Sequence, residues 1–333
     1  MRVIAGKYRG RKIISPVGND VRPTTDKIKE TLFNILQYDI VDAVVVDLFG
    51  GTGGLGVEAL SRGAKKVYFC DIDNRSLNLI KQNVSFCDRS EYEIIKGDYA
   101  DCIRRLALRG VKADIIICDP PYRFKEGERI LAKIKEYDFL NDGGVITIER
   151  AADDGALPDR EYFLESTRVY GNVSLDIFRN ASKVAVTGSF DPFTTGHKFL
   201  VEKGLESFGA VYVVMLVNEN KTPFLSVENR LKIIENSLRE YKRRVKIEFF
   251  SGLTIDYCRE KGIPYIIRGV RSPEDFAYER AMADYNLRNG GVETLFIEAE
   301  DKKLSSTLVK DKFLKGESLS EYVCEDAVKY VKP

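Results

Sequence analysis

The sequence predicts an α/β protein made of two successive doubly wound domains. Three observations predict it. Short continuous apolar runs of strand length, rich in β-branched residues, alternate with helix-sized segments. The alternation stops and starts afresh near Ala181. A glycine-bearing turn follows the first strand of each half, where an open parallel sheet receives its ligand.

The first half opens with "TTDKIKETLFNIL", which places Ile28, Leu32, Ile35 and Leu36 on one helical face with Thr24 or Thr25 as cap. "AVVVDLF" (43–49), "KVYFCDID" (66–73), "YEIIKGD" (92–98), "ADIIICD" (113–119) and "GGVITIER" (143–150) read as buried strands. Unbroken apolar strands between helices imply a parallel sheet covered on both faces. "RVYGNVSLDIFR" (168–179) alternates and closes that sheet as antiparallel edge strands. The second half repeats the scheme. "KVAVTGSF" (183–190) is followed by a helix (197–208), "AVYVVMLVN", a helix (226–240), "VKIEFF", a further helix, "YIIRGV" and "TLFIEA". The predicted domains are 1–180 and 181–333.

Composition is that of a soluble globular protein, 44% hydrophobic and 31% charged. Six cysteines are scattered without a C-x-x-C, which fits no zinc pattern and suggests a reduced, cytoplasmic protein. The chain is charged from Arg2 onward with no apolar leader, and its longest apolar runs, such as "VYVVMLV", are too short to cross a bilayer, so no membrane role is expected. Net charge is +1, but residues 1–30 hold eight Lys/Arg against three acids. Charge runs are usually solvated faces; an arm of this kind also suits nucleic-acid phosphates.

"VVDLFGGTGGLG" is a glycine-rich turn between a strand and a helix, able to bring backbone close to a ligand and to point helix N–H groups at it. Such a turn also serves tight packing alone. Here the second strand ends in "CDID" and the third in "KGD", and acids at those ends suit the hydroxyls of an adenosine. "DPPY" (Asp119 to Tyr122) closes the fourth strand. Two prolines remove N–H donors and stiffen the loop. Asp119 and the Pro120 carbonyl can then accept the hydrogens of an exocyclic base amine, with Tyr122 stacked on an unstacked base.

Residues 1 to about 180 resemble the bacterial 16S ribosomal RNA (guanine-N2)-methyltransferases, through "RVIAGKYRGRKI", "RPTTDKIKETLFNIL", "VVDLFGGTGGLGVEALSRGA", "DPPY" and "YGNVSLDIFR". The resemblance implies a Rossmann-like class I fold with S-adenosylmethionine at Asp47, Gly51, Gly53 and Asp71, and with Asp98 near the adenine. It implies Asp119, Pro120 and Tyr122 at the target base, and Arg2, Lys7, Arg9, Arg11 and Lys12 on the partner, 16S rRNA or the small ribosomal subunit particle.

"GSFDPFTTGH" places Thr194 and the chain's one histidine, His197, around Gly196 at a helix start. A lone histidine is more often structural. Its neighbours point to phosphate instead: Lys221 in "NENKTPF", Arg268 and Arg271 in "IIRGVRS", and the hydroxyls of "LSSTLVK" (304–310) form a plausible clamp. The half from 182 resembles phosphopantetheine adenylyltransferase, of the T/H-x-G-H nucleotidyltransferase superfamily, through "GSFDPFTTGH", "RGVRSPEDFAYE" and "LSSTLVK". Thr187 stands where that family usually has Pro. The resemblance implies Ser189, Lys221, Thr254 and Arg268 at 4'-phosphopantetheine. It implies Phe190, His197, Gly269, Val270, Arg271, Glu279, Asp301, Lys302, Lys303, Leu304, Ser305, Ser306 and Thr307 around ATP, with Mg²⁺ carried on the phosphates. His197, Lys221 and Arg268 are the expected catalytic groups, and a homo-oligomer, a hexamer in the related enzymes, is the expected assembly.

Two alternatives stay open at this level. The first half could be an RNA-binding module without catalysis, against which the intact DPPY and glycine turn argue. The substrates could also differ, adenine N6 for the first site and another adenylyl or cytidylyl acceptor for the second.

Overall fold

A computed structural model describes residues 1–15, 26–121, 125–217 and 222–332. The chain divides into two compact units, Met1–Asn180 and Ala181–Pro333. The expected caps Thr24 and Thr25, and the predicted site residues Tyr122 and Lys221, lie outside the described residues.

The first unit begins with a hairpin-like turn: Val3 donates to the Arg11 carbonyl and Gly10 to that of Val3, and Arg2 pairs antiparallel with Lys12. It continues α1 (Asp26–Ile35), β1 (Val44–Asp47), α2 (Gly54–Ser61), β2 (Lys66–Asp71), α3 (Asn74–Asn83), β3 (Tyr92–Lys96), α4 (Tyr99–Leu108), β4 (Ala113–Cys118), α5 (Gly127–Glu136), β5 (Leu140–Ala151), β6 (Phe163–Tyr170) and β7 (Val173–Arg179). The sheet order is 3-2-1-4-5-7-6. Pairing is parallel as far as β5, and β7 runs antiparallel to both β5 and β6. The antiparallel edge strands expected at 168–179 form a hairpin turning at Gly171, where φ is +59°, and its first strand begins earlier than expected, at Phe163.

Residue alternation explains why this sheet needs helices on both faces. Val45, Val67, Ile115 and Ile117 enter one core with Leu32, Phe33, Leu60 and Ile80. Their chain neighbours Val46, Tyr68, Ile116 and Cys118 enter another with Ile103, Leu106, Ile130 and Leu131. Apolar residues at successive positions therefore all find cover. β1 lies between β2 and β4, with Val45 beside Val67 and Ile115. The strand order reverses there, which opens a crevice at the carboxyl ends of β1 and β4.

The second unit runs β8 (Lys183–Gly188), α6 (Thr195–Ser207), β9 (Ala210–Leu216), α7 (Val227–Ser237), β10 (Val245–Phe250), α8 (Thr254–Lys261), β11 (Tyr265–Val270), α9 (Pro273–Gly290), β12 (Glu293–Glu298), α10 (Ser306–Leu314) and α11 (Glu325–Val328). Its strands are all parallel, in the order 10-9-8-11-12. The switch point lies between β8 and β11, where Val186 sits beside Val213 and Ile267. The 18-residue α9 is an element the apolar pattern did not single out.

Candidate active sites

In the first unit the turn after β1 is closed by backbone bonds, Gly53 to the Gly50 carbonyl at 2.6 Å and Gly50 to that of Cys70 at 2.8 Å. Gly51 (φ +53°) and Gly53 (φ +77°) hold left-handed conformations that favour glycine. Asp71, at the end of β2, accepts the Gly51 N–H at 2.8 Å on one oxygen and the Asp73 N–H at 2.8 Å on the other. Each oxygen keeps a lone pair for a hydroxyl. Asp98 is exposed and caps α4 by accepting the Asp101 N–H at 2.8 Å. Asp119 and Pro120 follow β4 across the switch point, both half-buried.

Asp47 is the unusual member. It is 1% exposed, and neither of its carboxylate oxygens has a hydrogen-bond partner among the described residues. Burial, then the charges of Asp119 and Asp71, push its pKa up to about 7; the nearby Gly56 and Phe49 N–H groups oppose this without closing a bond. An orphaned buried carboxylate beside a glycine turn is a place for a cation or a donor. That fits S-adenosylmethionine, which carries both an ammonium and a sulfonium. Two aromatic rings that sequence reasoning did not single out pair at this end of the sheet: Phe49, after β1, and Tyr99, at the start of α4, lie 6.1 Å apart.

The basic arm is carried by the hairpin. Arg2, Lys7, Arg9, Arg11 and Lys12 are all exposed, and Lys7 is paired with Glu91 at 2.6 Å. Its seat is a buried carboxylate on α2: Glu58 accepts the Ile4 N–H at 2.8 Å, the Ala5 N–H at 3.0 Å and Arg62 Nε at 2.8 Å. Buried Lys29 lies 3.6 Å from Glu58 and donates to the Arg2 carbonyl at 2.6 Å.

In the second unit the β8–α6 loop and α6 build the site. Thr194 caps α6, and His197 at its third helical position closes a capping box. The Thr194 N–H donates to His197 Nδ1 at 3.0 Å, which assigns the ring proton to Nε2. Phe190 and Phe193 pack on the imidazole at 5.1 and 5.4 Å between ring centroids. Burial, then the nearby Arg271 and Arg268 charges, hold the His197 pKa down at about 3. His197 is therefore a neutral donor through Nε2 next to two cations.

Arg268, on β11, is fixed by Glu279 through two bonds of 2.8 and 2.6 Å and by the Thr187 carbonyl at 2.5 Å. Arg271 is exposed, and Gly269 and Val270 complete the end of β11. Phe190 takes a positive φ of +47°, uncommon for a bulky residue and found where a loop is held for a purpose. Ser189 is exposed, and its carbonyl accepts Arg230 Nη1 at 3.0 Å. Thr254 opens α8.

Asp301, Lys302 and Lys303 form an exposed turn, and Leu304 is buried 3.2 Å from where a Cβ on Gly196 would lie. Ser305 caps α10, Ser306 donates to the Pro192 carbonyl at 2.8 Å, and Thr307 is exposed. Asp191 ties the site loop to α10 through Lys310 at 2.9 Å and accepts the Phe224 and Leu225 N–H groups. That tether was not foreseen, although both residues lie in motifs already noted. No group of three or more His, Cys, Asp or Glu able to hold a metal occurs among the described residues. Nor is any described helix long and apolar enough to cross a membrane.

Comparison with known proteins separates the halves in the same way. Residues 1–179 match the family model described as Conserved hypothetical protein 95, and residues 185–312 match that described as Cytidylyltransferase-like. Ribosomal RNA small subunit methyltransferase D of Haemophilus influenzae is 33% identical over 182 residues, 54% of this chain and 94% of its own. Phosphopantetheine adenylyltransferase of Phocaeicola vulgatus is 37% identical over 140 residues, 41% of this chain and 92% of its own. That of Streptomyces coelicolor is 40% identical over 126 residues, 37% of this chain and 79% of its own.

Proposed function

Because this chain belongs to the Conserved hypothetical protein 95 family of methyltransferases through its first half and to the phosphopantetheine adenylyltransferases through its second, we propose that it catalyses two specific reactions. The first is methylation of a guanine N2 amine in 16S rRNA of the small ribosomal subunit. The second is adenylyl transfer from ATP to 4'-phosphopantetheine, giving dephospho-coenzyme A and pyrophosphate.

The orphaned Asp47 carboxylate carries the first reading. S-adenosylmethionine, when bound, supplies a methyl group activated by a positively charged sulfur. Asp47 neutralises positive charge, the turn at Gly51 and Gly53 admits the ligand, Asp71 accepts from ribose hydroxyls and Asp98 stands near the adenine. Asp119 and the Pro120 carbonyl accept the amine hydrogens and aim the nitrogen lone pair, with Tyr122 on the base. The exposed cations of the hairpin meet rRNA phosphates, which position without specifying.

The Nε2–H of His197 carries the second reading. A phosphopantetheine phosphate oxygen attacks the α-phosphorus of ATP, and the bond to pyrophosphate breaks. The attacking group is already an anion, so no protein base is required. His197 donates to the oxygens that gain charge, while Arg268, Arg271 and Lys221 offset it. Mg²⁺ would come with the phosphates. Ser189, Thr254, Arg268 and Lys221 hold phosphopantetheine. Phe190, Gly269 to Arg271, Glu279 and Asp301 to Thr307 line ATP. Exposed Tyr278, Met282 and Tyr285 on α9 offer a face for a second copy in a homo-oligomer.

Two assays test the pair. One follows pyrophosphate release from ATP with 4'-phosphopantetheine; no turnover removes the second reading. The other follows methyl transfer to 16S rRNA with nucleoside analysis of the product; N6-methyladenine in place of N2-methylguanine overturns the proposed base.

A further inference from the structure

Asn83, the last residue of α3, is 2% exposed and spends its side-chain amide on two distant segments. Its Nδ2 donates to the Thr52 carbonyl inside the glycine turn at 2.8 Å and to the Ile14 carbonyl at 2.9 Å. Its Oδ1 accepts the Ile14 N–H at 2.7 Å. Ile14 directly follows the basic hairpin, so one amide fastens that hairpin to the turn that receives the cofactor. Two donors and one acceptor in this geometry are what a carboxamide offers and a carboxylate does not.

The same hairpin is held along α2, the helix that the glycine turn opens. Glu58 takes the Ile4 and Ala5 N–H groups, and Ser61 accepts the Tyr8 N–H at 2.9 Å on its hydroxyl and the Lys7 N–H at 2.8 Å on its carbonyl. The Met1 sulfur lies 2.7 Å from where a Cβ on Gly54 would stand. Both helices flanking the cofactor turn thus grip the cationic arm.

We infer that Asn83 is a positioning residue that couples the two ligands of the first site: filling the cofactor turn tightens the binding of RNA to the hairpin, and RNA tightens the cofactor in return. This rests on the reading of the first unit as an rRNA methyltransferase. The two effects must be equal, because linkage between bound ligands is reciprocal.

The test uses the full chain, with S-adenosylhomocysteine and in vitro transcribed 16S rRNA as probes, and reads binding rather than turnover. In wild type, saturating S-adenosylhomocysteine should lower the RNA Kd by about fivefold or more, the lower end of usual couplings. Asn83→Ala, and the milder Asn83→Ser, should bring that ratio to about one, leaving the S-adenosylhomocysteine Kd measured alone within about threefold of wild type. A variant that keeps the full ratio overturns the inference. So does a wild type that binds both probes with no mutual effect, a result independent of how the variants fold. A wild type that binds neither probe overturns the functional reading itself.

Discussion

The backbone N–H of Thr194 donates to Nδ1 of His197 at 3.0 Å. This bond closes the first turn of α6 and at the same time leaves the imidazole a single outward donor, Nε2–H. A capping interaction thereby sets the chemistry of the ring. With Arg268 and Arg271 nearby, protonation of His197 would place a third positive charge beside two others.

His197 should therefore stay neutral across the working range. Its folded pKa of about 3 lies below the ordinary 6.5, so the neutral ring favours folding above pH 6.5, and that contribution is lost as pH falls from 6.5 toward 3. The kcat of adenylyl transfer should carry no ionisation from this residue between about pH 5.5 and 8. His197→Ala should cost about a hundredfold or more in kcat, the usual loss when a transition-state donor is removed. A variant as fast as wild type would make His197 structural.

Asp47 runs in the opposite direction. Its pKa is raised from 3.8 to about 7, so between those values the folded chain holds a proton the unfolded chain releases, and stability falls as pH rises through that window. A cationic ligand reverses the preference and expels the proton. As pH rises toward 7 the Kd of S-adenosylmethionine, which carries the sulfonium charge, should fall by up to about tenfold per pH unit, and it should level off above 7. Asp47→Asn should weaken binding and flatten that slope. Calorimetry in buffers of different ionisation heat reads the released proton directly.

Glu279 should matter through Arg268. Its carboxylate holds the guanidinium at two points, and Glu279→Gln leaves one acceptor where there were two. Loss of a charge-assisted bond at a partly buried pair should lower kcat/KM for adenylyl transfer by about tenfold. Steady-state kinetics decide. Unchanged kcat/KM would mean that the Thr187 carbonyl alone orients Arg268.

The central strands were legible because most are short, nearly unbroken apolar runs, and β7 because it alternates, while the candidate acids and glycines stood out by their position at strand ends. α9 was not, since Phe276, Tyr278, Met282 and Tyr285 on it remain exposed and blur any apolar stripe. Its start was nonetheless written in the chain, as Ser272 at the cap and Pro273 at the first helical position. Interactions over long separations left no local signal. Asn83 reads as an ordinary polar residue at a helix end until Thr52 and Ile14, 31 and 69 positions away, are found on its amide. The tautomer of His197 likewise follows from a backbone bond that spacing does not reveal.

The two activities should be separable by single substitutions. Each unit has its own sheet and its own buried apolar clusters, and the proposed reactions exchange no intermediate, since one yields a methylated base and the other a nucleotide anhydride. Tyr122→Ala removes the proposed platform for the target base and should lower methyl transfer without changing adenylyl transfer; His197→Ala should do the reverse. Base-stacking losses of about 1–3 kcal/mol set the expected drop in the first case at between about 5-fold and 150-fold. Assaying both reactions on each variant reads this directly. A variant that lost both activities while remaining folded would overturn this separability.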